Sequence, residues 1–142
     1  MLLELSLPQY YFDIAGRAMA AQMVRLNTIS SNLANAGATT GDPETVYKPL
    51  KPEFKTQYSE NVKKNGISTV NVSKVVELQK EPFKIFDPNH PLADGDGYIY
   101  KAPINVEEEM VDMMDASRQY QNNIEVVTTL KALTLKTINL GK

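Results

Sequence analysis

Apolar side chains recur at Phe12, Ala15, Met19, Leu26, Ile29 and Leu33, and the polar Gln22 fills the one gap in their 3,4 spacing. That spacing draws a single stripe along an α-helix for about three heptads. A helix is expected over residues 13–34, although Gly16 inside it costs about 1 kcal/mol against alanine. Two readings of Gly16 stand open: another backbone approaches closely there, or the helix becomes firm only after it. Beyond Leu33, Asn35 and Gly37 offer a left-handed cap, and Gly41, Asp42 and Pro43 prevent the helix from resuming.

A second stripe runs through Val106, Met110, Met113, Ser117, Tyr120, Ile124 and Val127. Val126, Leu130, Leu133, Thr137 and Leu140 continue it one position round, so a helix is expected over 106–140. Asn105 with Glu108 three residues later is a capping-box variant. Glu107, Glu108, Glu109, Asp112 and Asp115 crowd the early turns, while Arg118, Lys131, Lys136 and Lys142 come later, the order a helix dipole favours. The eight prolines, at 8, 43, 49, 52, 82, 88, 91 and 103, leave residues 9–42 and everything after 103 free for long helices.

Between these blocks the period changes to two. Val70, Val72, Val76 and Leu78 alternate with Asn71, Ser73, Glu77 and Gln79, and Phe83 with Ile85 and Tyr98 with Tyr100 repeat the pattern. "KKNG" at 63–66 and "DGDG" at 94–97 are turn chemistry. A small β-rich middle with proline-punctuated arms is expected.

Length then changes the picture. A helix over 106–140 extends about 52 Å and one over 13–34 about 33 Å, whereas a compact domain of 142 residues has a diameter below about 40 Å. The longer helix outruns its own chain by a dozen or so residues. These are Leu130, Leu133, Leu135, Ile138 and Leu140, or Val106 to Met114, depending on alignment. So many uncovered aliphatics mark an association surface. The flank of the first stripe, Asn27, Ser30, Ser31, Asn32 and Asn35, is then placed to set the register of lateral contacts, at about 1 kcal/mol per hydrogen bond.

Charge and composition mainly exclude. Fifteen Lys plus Arg against seventeen Asp plus Glu give a net charge of -2, so no basic field attracts nucleic acid. There is no cysteine, hence no disulfide, thiol catalysis or Cys-based metal site. The start "MLLELSLPQYYFD" lacks a basic n-region and a cleavage site, and no apolar run reaches membrane-spanning length. His90 is the single histidine and reads as a turn residue between Pro88 and Pro91. Asp94 and Asp96 fail the calcium-loop pattern and read as a hairpin turn. Glu107 to Glu109 point in different directions on one helix, which argues against a hydrolase pair. Met110, Met113, Met114 and Tyr120 read as core that includes contacts between subunits. No catalytic residue, metal or cofactor is expected.

"FDIAGRAMAAQMVRLNTISSNLANA" at 12–36 resembles the N-terminal helix of the bacterial flagellar axial proteins, the rod and hook subunits, and Tyr47-Lys48 resembles the end of their post-helix motif. Residues 87–142 resemble a proximal-rod member of that family. "GATTGDPETV" before Tyr47 departs from the shorter hook-type Thr-Pro-Gly-Tyr pattern and is similar to the proximal rod. The resemblance implies a mainly α fold in which long terminal helices form an antiparallel coiled-coil-like pair around a small β-rich middle. It divides the chain into a helical segment 1–41 with a mobile extreme N-terminus, a middle 42–104 and a long helix 105–142. It implies a structural subunit that transmits torque and encloses an export channel. The expected assembly interface is Phe12, Met19, Leu26, Ile29 and Leu33 of the first stripe, Met110, Met113, Tyr120, Ile124, Val127, Leu130, Leu133 and Leu140 of the second, with Asn27, Ser30, Ser31, Asn32, Asn35 and Tyr47. Implied partners are other copies of itself, other rod proteins, the rod adaptor at the inner-membrane ring and the flagellar type III export apparatus. The implied location is the periplasmic rod, reached without a cleaved signal peptide. Another proximal-rod paralogue, or a helical module that binds one partner without polymerising, are the competing readings.

A lone chain is expected to show little amide protection through residues 126–140, because nothing covers that face and ordering a backbone costs about 1–2 kcal/mol per residue. Hydrogen exchange on dilute protein measures this, and strong protection there contradicts it.

Overall fold

The computed structural model describes residues 2–57 and 69–141, with side-chain environments for 9–56 and 70–141. The order is α1 (Leu2–Asn35), β1 (Thr39–Thr40), a 3-10 turn (Pro43–Thr45), β2 (Leu50–Gln57), β3 (Thr69–Glu77), β4 (Phe83–Phe86), β5 (Tyr98–Lys101) and α2 (Val106–Leu140). Two long helices flank a small β-rich middle. The expected turn at 63–66, and the expected mobility of the extreme N-terminus, fall outside the described residues and side chains.

The first helix begins earlier than its apolar stripe suggests. It runs through Pro8, which forfeits one backbone hydrogen bond among strong helix formers. Gly16 lies well inside it, and a Cβ there would meet nothing within 4 Å, so no backbone of the same chain approaches closely. The left-handed cap expected at Gly37 is also corrected. Gly97, at φ 81°, is the positive-φ residue among those described. Instead Ala36 and Ala38 donate to the carbonyls of Leu33 and Asn35 at 3.3 and 3.0 Å, and Asn35 Nδ2 donates to the Ser31 carbonyl at 2.8 Å. The chain must leave α1 directly into β1, and this tightened turn delivers it there.

α2 starts where its cap places it. Asn105 Oδ1 accepts from the N–H groups of Glu107 and Glu108 at 3.1 and 3.4 Å, satisfying two of the orphan donors of the first turn. Gly141 ends the helix, its N–H donating to the Ile138 carbonyl at 3.3 Å. Basic residues lie before the last turn, which itself carries none.

The helices pack antiparallel. Gln22 Nε2 donates to Gln119 Oε1 at 3.0 Å, Arg25 reaches Asp115 and Asp112, each at 3.2 Å, and Asn32 Nδ2 reaches Glu109 at 3.1 Å. Partner numbers fall along α2 as they rise along α1. Small residues let the two approach: Ala15, Ala21 and Ala116 are buried, the last completely. Because α1 has 34 residues and α2 has 35, the expected length mismatch is corrected. Each is about 51–53 Å long. What leaves apolar side chains uncovered is the width of the pairing, which covers one stripe of each helix.

The middle forms two antiparallel sheets. One has the order β1-β5-β4, with Thr39 opposite Lys101 and Phe86 opposite Tyr98. The other pairs β2 with β3 and carries a register shift between Glu53 and Phe54. Ala36, Val46, Ala102 and Ile104 form a small core where α1 meets the sheet, with Tyr47 and Tyr100 packed on it. The Asp94–Gly97 stretch is the hairpin turn its composition predicts: Asp94 Oδ1 accepts from the N–H groups of Asp96 and Tyr98 at 3.0 and 2.8 Å. The Tyr98 N–H chiefly holds the Asp94 carboxyl below its usual range, with the Asp96 N–H, the Tyr100 hydroxyl and Lys84 adding to it.

Two glycines give opposite expectations. A Cβ on Gly41 would sit 2.5 Å from the Leu92 carbonyl oxygen, so Gly41→Ala forces backbone apart and lowers stability by about 1–3 kcal/mol. Gly16→Ala meets open space and raises stability by about 0.5–1 kcal/mol. Urea unfolding of the two variants beside the parent reads both signs.

Candidate assembly interface

The Asn/Ser flank sorts itself by direction. Asn32 turns inward and is 2% exposed, whereas Asn27 and Ser30 face solvent and Ser31 and Asn35 are half-buried. Asn32 Oδ1 accepts from the Leu50 N–H at 2.8 Å and from the Tyr47 hydroxyl at 3.1 Å. Its Nδ2 donates to the Leu50 carbonyl at 3.0 Å and to Glu109 Oε1 at 3.1 Å. One amide thus joins α1, the start of β2 and the first turns of α2, and its hydrogen-bonding capacity is filled. Asn27 and Ser30 stay exposed.

Charge follows burial at this junction. Burial pushes the Glu109 carboxyl above the ordinary range; the Asn32 amide opposes it, Asp112 and Glu108 add to it, and Lys80 opposes it. The Tyr47 hydroxyl is raised too, first by burial and then by Glu109 and Glu77, which keeps it a hydrogen-bond donor. Arg25 clamps Asp112 and Asp115 with its two terminal nitrogens. Arg25 did not stand out in the sequence, and Glu109 did so only as one of a run of acids, because a charge beside an apolar stripe looks like ordinary solvated surface. The visible signal was the acidic crowding of early α2, for which the two arginines of α1, Arg17 and Arg25, were the candidate partners.

The two stripes are only partly consumed by the helix pair. Ile29 is buried, and Phe12, Met19, Leu26 and Leu33 on α1 are half-buried, as are Met113, Tyr120, Val127 and Leu130 on α2. Gln22, the polar member, bonds Gln119 but leaves its Oε1 without a partner among the described residues. Met110, Ile124, Leu133 and Leu140 remain exposed, together with Val111, Met114 and Val126. Val126, Leu133 and Leu140, spaced by seven, form one outward row at 50%, 57% and 83% exposure. Such a row occupies one position of a heptad repeat. A further apolar surface escaped the sequence reading: β4, an edge strand, exposes Phe83, Ile85 and Phe86. Its period of two implied one covered face, and the three-stranded sheet covers neither.

Among the described residues no cluster of metal-ligating side chains occurs, and no helix is long and apolar enough to cross a membrane. His90 sits in a turn, its Nδ1 accepting from the Leu92 N–H at 3.1 Å.

Comparisons with known proteins bear on both ends of the chain. A family model described as "Flagella basal body rod protein" matches residues 12–41, and one described as "Flagellar basal body rod FlgEFG protein C-terminal" matches residues 96–140. The chain is 43% identical over 131 residues to the flagellar basal-body rod protein FlgC of Salmonella typhimurium, covering 92% of this chain and 96% of that one. With the FlgC of Escherichia coli O157:H7 it is 41% identical over 131 residues and the same shares. With that of Buchnera aphidicola subsp. Acyrthosiphon pisum it is 38% identical over 133 residues, again 92% and 96%.

Asn32→Ala leaves the Leu50 peptide and the Tyr47 hydroxyl without these partners in a partly buried place. At about 1–3 kcal/mol per orphaned group, a loss of at least about 2 kcal/mol is expected in urea unfolding. Asn27→Ala, on the exposed side, is expected within about 0.5 kcal/mol of the parent.

Proposed function

The chain belongs to the FlgC family of flagellar basal-body rod proteins, and we propose from this footing how its geometry serves a rod. As a member of that family it is a structural subunit and not an enzyme. In our reading it polymerises with copies of itself and with other rod proteins, transmits torque and encloses the export channel. Segments 1–41 and 105–142 form the inner tube as a coiled-coil-like pair, and 42–104 sits outside them. The rod lies in the periplasm, is joined to the adaptor at the inner-membrane ring, and receives this subunit through the type III export apparatus without a cleaved signal peptide.

The observation that carries the reading is the outward row Val126, Leu133 and Leu140 on a helix whose other stripe is already engaged with α1. A helix apolar on two sides needs two partners, and the chain supplies one. At about 25 cal/mol per Å² of apolar surface removed from water, covering that row on every copy favours a polymer over a single docking event. The half-buried seam residues stiffen the pair, while Asn27 and Ser30 set lateral register. A module that binds one partner and stops accounts for one uncovered row, but leaves β4 and the Met110–Met114 turn exposed as well.

Leu133→Asp places a charge in the row while leaving the α1 contact intact. The variant is expected to keep the parent's circular dichroism and yet to abolish motility and leave basal bodies without a complete rod. Normal motility overturns the assignment of this row, and strict one-to-one complexes with other rod subunits in light scattering favour the non-polymerising module.

A further inference from the structure

We propose that the end of the uncovered row on α2, Leu133 and Leu140, is covered by the first turns of α2 of a second copy, so that chains add head to tail through one repeating contact. The contact rests on the reading of that row as an assembly surface and names what covers it. Both surfaces lie outside the helix pair. Leu133 and Leu140 are exposed near the end of α2, and Met110, Val111 and Met114 are exposed near its start. Apolar patches at opposite ends of one helix cannot meet within a single chain. Between two chains they can, and each then takes the other out of water.

Charge selects the pairing. Residues 106–115 hold five acids and no base, whereas 126–142 hold three lysines and no acid. Arg25 already engages Asp112 and Asp115. Glu107 and Glu108 face solvent and line a shallow depression with Val111. At the other end, Lys136 is exposed three residues after Leu133 and four before Leu140, which puts it beside both on the helix surface. Two starts brought together set acids against acids, and two ends set lysines against lysines. A start against an end is the attractive combination, and such complementarity fixes the register of an interface.

Spacing agrees with charge. Glu107 and Leu133 are twenty-six positions apart, and so are Met114 and Leu140. Two α2 helices lying parallel with a stagger of about 39 Å therefore set Glu107 level with Leu133 and Met114 level with Leu140. Lys136 falls between those levels, one turn from Glu107. Arg118, four residues beyond Met114, passes the end of the neighbouring helix, whose last carbonyls favour a positive charge. The contact joins two different surfaces and leaves one of each unused at the ends of every pair. It does not close on itself, so copies continue to add.

Sedimentation velocity on the purified full-length chain, at rising concentration and low salt, tests this. The parent is expected to form a ladder of growing species. Glu107→Lys and Lys136→Glu, both at exposed positions, are each expected to keep the parent's circular dichroism and to associate about tenfold more weakly. An equimolar mixture of the two variants is expected to regain the parent's association, because every start then has an end of opposite charge to meet. A parent that stays monomeric or stops at a dimer overturns the head-to-tail contact. So do single variants that associate like the parent, or a mixture no stronger than either variant alone. The assembly reading of the row is separable from this: if Leu133→Asp still abolishes motility when the parent does not self-associate, the row remains an assembly surface and another rod protein covers it.

Discussion

A side-chain amide taken out of water must find partners for two N–H bonds and two lone pairs, and Asn32 finds all four inside one chain. The cost of leaving any of them unmade exceeds the modest gain of making it. The surrounding elements are therefore held to one arrangement. Leu50 must present both its N–H and its carbonyl, which fixes where β2 begins, and Tyr47 must deliver its hydroxyl, which fixes the path out of the 3-10 turn. Glu109 must face α1, which fixes the rotation of α2. Hydrophobic contacts alone would tolerate sliding between two helices of alanine and methionine. Directional bonds do not.

The same constraint explains why α2 leaves an apolar row uncovered. With rotation and register set by Asn32, and by Arg25 across from Asp112 and Asp115, α2 can show only one stripe to α1. Its other row is directed away from the pair whatever the remaining contacts do. Membership of the FlgC family gives that exposure a purpose, since a rod subunit must offer surfaces to its neighbours as firmly as it holds itself together. The polar clamps are nearly all close to the β-rich middle, at positions 22–32 of α1 and 109–119 of α2.

The β-rich middle is tied to the helices at two points of different character. Asn32 secures β2 through hydrogen bonds, while β1, Ala102 and Ile104 secure the β4–β5 hairpin through a small apolar core beneath Tyr47 and Tyr100. Gly41 against Leu92 and the Asp94 turn keep the loops of that hairpin close. Edge strands usually carry charges or bulges that discourage pairing with another chain. β4 carries a single lysine among two phenylalanines and an isoleucine, and that lysine lies over the Tyr98 ring at 3.9 Å.

Local sequence determined what depends on neighbours along the chain. The 3,4 stripes, the Asn105 cap, the period-two segments and the Asp94–Gly97 turn were legible because each is set by a few consecutive residues and by backbone sterics. So was the structural rod character, carried by segments at both ends. Tertiary structure decided what depends on contacts between distant residues. It decided that Asn32, one polar residue among five in the flank, turns inward, and that Arg25 and Glu109 are partners rather than solvated charges. It also decided that α1 continues through Pro8 and that Gly37 adopts no left-handed cap, since a helix end bends to the path of the strand it feeds. Burial of a polar side chain is set by which partners the fold brings within about 3 Å, and periodicity carries no record of them.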